Sequence, residues 1–342
     1  MATMSRFKYL AKRFALSIPV IWLGTSMTWF IIYMGPIDPA SRLLSQGQIR
    51  NPAAYEAAQT QLGLDQPPLQ HYVDWMTSLL TFDLGRTWLL YQGSNVNALI
   101  LDFLPRTLWL GLWSVLIAVF IGVSMGFYAG MRSNSVSDYV ASMGGIVWRA
   151  MPNFWLAIML LTLLSTPAWL FGFDYQQFGV PLDGLTGSPD MSRIGTVDGF
   201  LAATKKVLPA ALVLGSASMG NEMRIGRTAV LEVKNQNYVD LAKAKGVSDR
   251  ALVWKHIFRN ALVPLVPIVT TEAFLLIGGS VLVEKVFGIN GIGYLFFEAA
   301  TSGDLPLVGT LMYIFILMTV GINLFQDLLY TIIDPRVGLE GT

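Results

Sequence analysis

The sequence predicts an all-α protein that crosses a membrane about six times. Of its 342 residues, 54% are hydrophobic and 13% are charged, and the apolar residues fall in long blocks. A soluble domain usually carries about 25% charged residues. Because a helix needs about 20 apolar residues to cross the hydrocarbon core of a bilayer, these blocks are expected to be membrane spans.

The first block follows a basic N-terminus. Residues 14–35 contain no charged side chain, and Arg6, Lys8, Lys12 and Arg13 precede them. The apolar core of a signal peptide is typically about 7–15 residues long and ends near a cleavage site made of small residues. This block is longer and lacks a clear site of that kind, so we expect it to be a retained first span.

Five blocks are clear candidates for spans and a sixth is weaker. The predicted spans lie at about residues 14–35, 107–131, 150–172, 207–223, 260–283 and 305–326. The weak one is the fourth, since Glu222 and Arg224 close its apolar run. Hydropathy alone does not decide whether this segment crosses the membrane.

The distribution of lysine and arginine decides whether this segment crosses the membrane, because cytoplasmic loops near helix ends are enriched in these residues. The N-terminal tail and residues 224–260 are the two most basic segments, so we expect both in the cytoplasm. An even number of spans must then separate them, which requires the weak segment to cross. The acidic loops 36–103 and 173–205 face outward in this arrangement. It predicts six spans with both termini cytoplasmic.

The second predicted span contains Gly122-Val-Ser-Met-Gly126, which matches the hydrolase pattern G-x-S-x-G. That pattern requires a strand–turn–helix context with a histidine and an acid nearby. The two histidines, His71 and His256, are expected on opposite sides of the membrane. Gly122, Gly126 and Gly130 are spaced by four, which favours a small-residue face for close helix packing.

Several kinds of chemistry have no motif in this sequence. There is no G-x-x-x-x-G-K-[ST] pattern, no H-E-x-x-H pattern and no cysteine, so neither a phosphate-binding P-loop nor a zinc or thiol centre is predicted. The net charge of +1 gives no reason to expect nucleic acid as a partner. We expect a chain that is not an enzyme and has no catalytic residue, metal or cofactor of its own.

Two charged residues fall near membrane depth. Arg149 lies near the inner end of the third span, where snorkelling to the headgroups and a functional role are both open. Glu272 lies midway along the fifth span. Because an unpaired carboxylate in lipid is costly, Glu272 is expected either to line a pathway or to bond a neighbouring helix.

The most informative segment joins the fourth and fifth spans. Residues 237–245 predict a short helix, and Gly246 supplies the left-handed position that ends it. Ser248 is expected to cap a second helix. The product is a helix–glycine–helix elbow on the cytoplasmic side. The apolar side chains of its first helix, which would suit a partner's groove, are Tyr238, Val239, Leu241 and Ala242.

This elbow resembles the coupling loop, or EAA loop, of permease subunits of binding-protein-dependent ABC importers, in their peptide-type branch. Asp240-Leu241-Ala242 stand at the position of the Glu-Ala-Ala triplet, with Asp for Glu and Leu for a small residue. The peptide-type pattern Y-V-x-x-A-x-A-K-G is matched by Tyr238, Ala242, Ala244, Lys245 and Gly246.

Further motifs of that family are similar along most of the chain. They are Asp83-Leu84-Gly85, Thr107-Leu108, Leu110-Gly111, His256, Arg259-Asn260-Ala261-Leu262, Pro264, Val283-Glu284, Val286-Phe287, Gly291-Ile-Gly293, Leu328-Leu329-Tyr330 and Asp334-Pro335-Arg336. The loop 173–205 is longer than is common in the family.

The resemblance implies the fold of a type I ABC importer transmembrane domain. It implies one permease domain over residues 1–342, with external loops 36–103 and 173–205 and a cytoplasmic coupling loop at 229–260. The residues that would couple to the ATPase are Tyr238, Asp240, Leu241, Ala242, Lys245 and Gly246. Glu272 and Arg149 are the candidate polar residues of the pathway.

The resemblance also implies the partners of the chain and its location in the cell (inner) membrane. The partners are a second, similar permease subunit, two ATPase subunits that carry ATP and Mg²⁺, an extracytoplasmic solute-binding protein and the lipid of the cell membrane. The implied cargo is a di- or oligopeptide, although relatives in the family carry nickel complexes, glutathione or oligosaccharides.

Two other classes of protein compete with this interpretation. A secondary transporter or channel working alone would show an inverted repeat, broken helices or paired intramembrane ions, and Glu272 alone is thin support for it. An intramembrane enzyme would need histidine, cysteine or paired carboxylates in its spans, and these are scarce.

The predicted topology is testable because the chain lacks cysteine. Single cysteines placed at Ser94 and Ser188 should react with an impermeant thiol reagent added from outside the cell. A cysteine at Ser248 should be protected until the membrane is opened. External labelling at position 248 would contradict the topology.

Overall fold

The structure, a computed structural model, describes residues 2–35, 38, 40, 41, 44, 51–61, 63–165, 186–262 and 280–333. Within these ranges the extended structure amounts to an isolated antiparallel bridge between Arg86 and Asn95, and the regular structure is otherwise helical. The predicted all-α fold is confirmed for this part of the chain.

The helices are as follows, in chain order. They are α1 (Ala2–Tyr33), α2 (Pro52–Gln61), α3 (Pro68–Thr81), α4 (Val96–Met131), α5 (Val136–Arg149), α6 (Asn153–Ser165), α7 (Val197–Lys234), α8 (Asn237–Ala244), α9 (residues 249–262), α10 (Val281–Phe287), α11 (Ile292–Ser302) and α12 (Leu305–Ile333). Helices α4 and α9 contain π-helical stretches at Ala118–Val123 and Leu252–Phe258.

Four of these helices are long and apolar enough to cross a membrane: α1, α4, α7 and α12. They contain the first, second, fourth and sixth predicted spans, so the weak segment 207–223 does lie in a helix of spanning length. The fifth predicted span, 260–283, and Glu272 within it lie largely outside the described residues. The count of six spans therefore stays a prediction.

The third predicted span, 150–172, begins at the bend between two helices, of which only α6 falls within the predicted range. Helices α5 and α6 meet at an angle of 99° and together pass the length and hydropathy criteria for one span. The break coincides with Pro152, whose ring removes a backbone donor and clashes with the preceding turn. The expected helix from residue 150 begins at Asn153, and its part beyond Ser165 lies outside the described residues.

Helix α7 begins ten residues before the predicted start of its span. The Thr196 side chain accepts a hydrogen bond from the Gly199 N–H at 3.1 Å, which satisfies a donor that the helix leaves open. At 38 residues the helix is about 57 Å long, well beyond the ~30 Å of a hydrocarbon core. The hydropathy of the sequence therefore predicted only the most apolar part of α7, whereas the Thr196 cap determines where the helix begins.

The described contacts divide the chain into two compact units. Unit 1 comprises residues 1–105, 291–327 and 336–342, and unit 2 comprises residues 106–290 and 328–335. Each has its own apolar core. The core of unit 1 includes Leu79, Phe103, Leu295 and Leu311. The core of unit 2 includes Leu110, Val207, Leu214 and Phe287.

Unit 1 holds the first and last described helices side by side at one end. The Tyr9 hydroxyl of α1 donates a hydrogen bond to Asp327 of α12 at 3.2 Å. The Arg13 guanidinium lies 3.4 Å from the same carboxylate. The first turns of α1 and the last turns of α12 therefore lie at the same end of unit 1. This agrees with an even total number of membrane spans.

Unit 2 is built on the close packing of α4 against α7. A Cβ built at Gly122 would lie 2.6 Å from the Cβ of Glu222, and one built at Gly130 would lie 2.7 Å from the Cβ of Val230. At Gly126 the added carbon would overlap the carbonyl oxygen of Met223. The glycine spacing is thus a packing face, as predicted, and the hydrolase pattern is a coincidence of letters.

We predict that Gly126→Ala destabilises the protein, because the new methyl group would meet α7 backbone that has no room to move. Overpacking of this kind costs about 1–3 kcal/mol. The measurement is the thermal unfolding midpoint of the purified chain in detergent.

The matched control is Gly144→Ala on α5, where no atom of another described element lies within 4 Å of the added carbon. Since alanine favours a helix over glycine by up to about 1 kcal/mol, this variant should be as stable as the parent or more so. Equal midpoints for the two variants would contradict the packing role of Gly126.

Candidate functional site

Helix α8 ends at the glycine predicted to end it. Gly246 has a φ of +76°, in the left-handed region that favours glycine. Its N–H donates to the Lys243 carbonyl at 2.9 Å, and the Val247 N–H donates to the Ala242 carbonyl at 3.2 Å. This pair of bonds is the Schellman arrangement of a helix C-terminus. Ser248 occupies the N-cap of α9 as expected, although its side chain makes no capping bond.

One face of α8 is buried within the chain itself. Val239 and Ala242 belong to a core cluster with Ala229 and Val230 of α7 and Leu252 of α9. The expectation that Val239 and Ala242 enter a partner's groove is therefore wrong for this structure. Their spacing of three puts them on one face, and that face fixes the elbow to the end of α7.

The adjacent flank of α8 is exposed. Tyr238 is 41% and Leu241 is 56% exposed, and Lys245 is also exposed. Spacings of three and four residues put these side chains on a shared flank. Asp240 pairs with Lys243 at 3.0 Å, with both side chains more than half exposed. An exposed pair of this kind contributes at most about 1 kcal/mol, so Asp240 has little structural role.

Polar contacts tie α8 to α9. The Asn260 amide donates to the Tyr238 hydroxyl at 3.1 Å and to the His256 carbonyl at 2.7 Å. Tyr238 comes from one motif of the family pattern and His256 and Asn260 come from the next, and the fold brings the two motifs together. On the other side of α9, Trp254 and Phe258 pack on Phe127 of α4, with ring centroids 6.0 and 5.0 Å away.

A buried ion pair that the sequence did not predict joins α5 to α7. The Arg227 guanidinium donates to both carboxylate oxygens of Asp138, at 2.7 and 2.8 Å. Ser142 and the Asn134 N–H also donate to this carboxylate. The Asp138 side chain is 2% exposed. No sequence motif indicated this pair, because an acid in the first turn of a helix, such as Asp138, is common.

The two polar residues predicted near membrane depth have different outcomes. Arg149 ends α5, and its guanidinium donates to the Asn221 side chain of α7 at 3.0 Å. It therefore joins two helices of unit 2. Glu272 lies outside the described residues, so its role stays a prediction. Sequence reasoning treated Glu222 as the end of a span, yet it is fully buried in α7.

A second buried polar cluster lies where α4 meets α10. The Glu284 carboxylate accepts hydrogen bonds from the Thr107 hydroxyl at 2.9 Å and the Ser280 hydroxyl at 2.6 Å. Arg106 donates to the Asn290 carbonyl at 3.2 Å. Thr107 and Glu284 come from two family motifs far apart in sequence, so these motifs describe one packed junction.

The chain matches two models of known protein families. Residues 118–339 match the binding-protein-dependent transport system inner membrane component, and residues 4–111 match the N-terminal part of such components. The chain belongs to this family. It is the membrane component of a binding-protein-dependent ABC importer, a permease with the type I transmembrane-domain fold, and it is not the ATPase.

Curated relatives extend over nearly the whole chain. A putative peptide transport system permease protein of Brucella suis biovar 1 (strain 1330) is 34% identical over 95% of this chain and 97% of its own length. The dipeptide transport system permease protein DppB of Alkalihalophilus pseudofirmus is 32% identical over 96% and 98%. The oligopeptide transport system permease protein AppB of Bacillus subtilis (strain 168) is 30% identical over 96% and 98%.

We predict that Arg227→Lys destabilises unit 2, because lysine cannot reproduce the two-pronged contact with the Asp138 carboxylate. Weakening a buried ion pair on one side costs up to about 3–5 kcal/mol, and we expect a loss of about 2 kcal/mol since a charge remains. The thermal unfolding midpoint measures it.

Arg224→Lys, one turn earlier on α7, is the matched control. Arg224 is exposed and makes one long contact, 3.4 Å, to Asn221, so its replacement should leave the midpoint unchanged. If the two variants have the same thermal unfolding midpoint, the Asp138–Arg227 pair does not hold α5 to α7.

Proposed function

We propose that this permease carries di- or oligopeptides, or similar small solutes, and that α8 with Gly246 is its coupling element. The observation that carries the coupling role is the division of α8 into two faces. Val239 and Ala242 fix it to the chain, while Tyr238 and Leu241 are left open. Exposed apolar side chains on one flank of a helix are the anchors that dock into a groove of a partner protein.

The coupling residues in this proposal are Tyr238, Asp240, Leu241, Lys245 and Gly246, with Ala242 acting from the buried side. The names of the curated relatives, which include dipeptide and oligopeptide permeases, support the peptide class. Arg149 and Glu272 remain candidates for polar residues along the pathway.

The proposed assembly has one copy of this chain, a second similar permease, two ATPase subunits and an extracytoplasmic solute-binding protein. ATP and Mg²⁺ bind to the ATPase subunits, and this chain needs no cofactor. Both termini lie in the cytoplasm, in line with the pairing of α1 with α12 through Asp327. The proposal places the elbow in the cytoplasm as well, because residues 224–260 are rich in lysine and arginine.

The contacts of the elbow suggest how a push on it would reach the membrane. A displacement of α8 acts on Ala229 and Val230 of α7 through Val239, and on Phe127 of α4 through Trp254 of α9. Because α4 and α7 are packed backbone to backbone, they would move together. Alternating access by rocking of rigid helices follows from such a coupled pair.

The test is Leu241→Ala in the assembled transporter. It removes an exposed side chain and should leave the membrane fold intact, yet weaken binding of the ATPase by about tenfold or more and reduce peptide uptake in proportion. Co-purification of the ATPase, membrane abundance and uptake of a labelled peptide are measured on the same preparations.

Leu201→Ala is the matched control, a leucine of α7 that is 48% exposed and far along the helix from the elbow. Gly246 gives a second arm. Valine is strongly disfavoured at positive φ whereas asparagine tolerates it, so Gly246→Val should uncouple transport and Gly246→Asn should retain it. Parental uptake in both Leu241→Ala and Gly246→Val would contradict a coupling role.

A further inference from the structure

A cavity of about 640 Å³ lies within unit 1, in the part of the chain predicted to face outward. The outer end of α1, helix α3, the loop 83–88 and the start of α12 contribute to its walls. Pockets of about 300–1,000 Å³ hold small ligands. The Asp83-Leu84-Gly85 motif, which the coupling mechanism does not use, forms part of the wall.

One wall is held by a buried carboxylate. Asp304 is fully buried, and one of its oxygens accepts hydrogen bonds from the backbone N–H groups of Trp88, Leu89 and Leu90 at 3.0, 2.8 and 2.9 Å. Three donors on one carboxylate oxygen form a strong charge-assisted contact. This contact fixes the loop that carries Trp88 to the start of α12.

The opposite wall is held by α1 and α3. The indole N–H of Trp29 donates to Nδ1 of His71 at 2.9 Å, and the Ser26 and Tyr72 hydroxyls lie 2.7 Å apart. Tyr33 stacks on Trp29 with ring centroids 4.8 Å apart. The aromatic walls are therefore ordered by side-chain contacts, as a preformed site requires.

The described residues of the lining carry a net negative charge. They include three carboxylates, those of Asp38, Asp74 and Asp83, and one guanidinium, that of Arg86. Burial lowers the pKa of His71, an effect larger than the opposing one of Asp74, so this ring is neutral near pH 7. Asp38 accepts a hydrogen bond from Tyr55, whereas the side chains of Asp74 and Asp83 make no such bond to other described residues.

We propose that this cavity binds a protonated amine attached to an apolar or aromatic body. Asp74 and Asp83, which have no hydrogen-bond partner among the described residues, supply the charge, and the rings of Trp29, Trp75 and Trp88 supply aromatic surface that attracts a cation. Leu305 and Pro306 complete an apolar surface for the rest of the ligand. Gly85 has a φ of +70°, and beyond its chain neighbours no described atom lies within 4 Å of an added Cβ, so the described part of the wall is open beside Asp83.

The test uses the purified full chain in detergent, without ATPase or solute-binding protein, and two probes. One is phenylalanylglycinamide, which has a protonated amine, and the other is its N-acetylated form, which is neutral. Ligand-observed NMR measures binding of each to the parent, to Asp74→Asn/Asp83→Asn and to Asp65→Asn. Asp65 is an exposed acid of the same loop that does not line the cavity.

The amine should bind the parent and the Asp65→Asn control equally, and the double variant about fivefold more weakly, as loss of partly exposed charge pairs implies. The acetylated probe should bind all three alike and weakly. Binding of the amine that is unchanged in the double variant, or equal binding of both probes to the parent, would overturn the proposal. Neither result depends on ATP coupling, so failure here leaves the role of α8 untouched.

Discussion

The contact of α4 with α7 is the constraint on which the described part of unit 2 depends. Gly122, Gly126 and Gly130 remove every side chain from one stripe of α4, and the backbone of α7 fills the space. In lipid, apolar side chains gain nothing by leaving the solvent, so association depends on close van der Waals contact and on polar bonds between helices. The stripe supplies the first, and the Asp138–Arg227 pair supplies the second by attaching α5 to α7.

Because α4 and α7 are held so closely, their neighbouring ends at Met131 and Lys234 form one surface on which the elbow rests. The Lys234 ammonium of α7 donates to the Met131 carbonyl at the end of α4 at 3.1 Å. Ala229 and Val230 then take the buried face of α8, and Phe127 takes the aromatic side chains of α9. The elbow is therefore a continuation of the helix pair and not a free loop.

The sequence predicted those features that are written in local chemistry. The glycine spacing predicted the packing face, Gly246 predicted the end of α8, and the runs of apolar residues predicted the long helices. It placed the starts of α4 and α7 about ten residues too late, because charged residues interrupt the apolar run in the first turns of both helices. It also assigned Val239 and Ala242 to a partner, since a short amphipathic helix has two faces and the sequence does not say which one the chain keeps.

The features that the sequence missed are the ones in which both partners are individually ordinary. No burial was predicted for Asp138, Glu284 or Asp304, yet all three are buried and accept hydrogen bonds from distant parts of their own unit. A buried carboxylate is stable only when its oxygens are satisfied, and that condition depends on the tertiary fold. The family motifs came closest to indicating one of these contacts, because Thr107 and Glu284 belong to two separate motifs whose side chains meet in the fold. Two motifs that are distant in the sequence are therefore most informative when they are considered as possible partners in one contact.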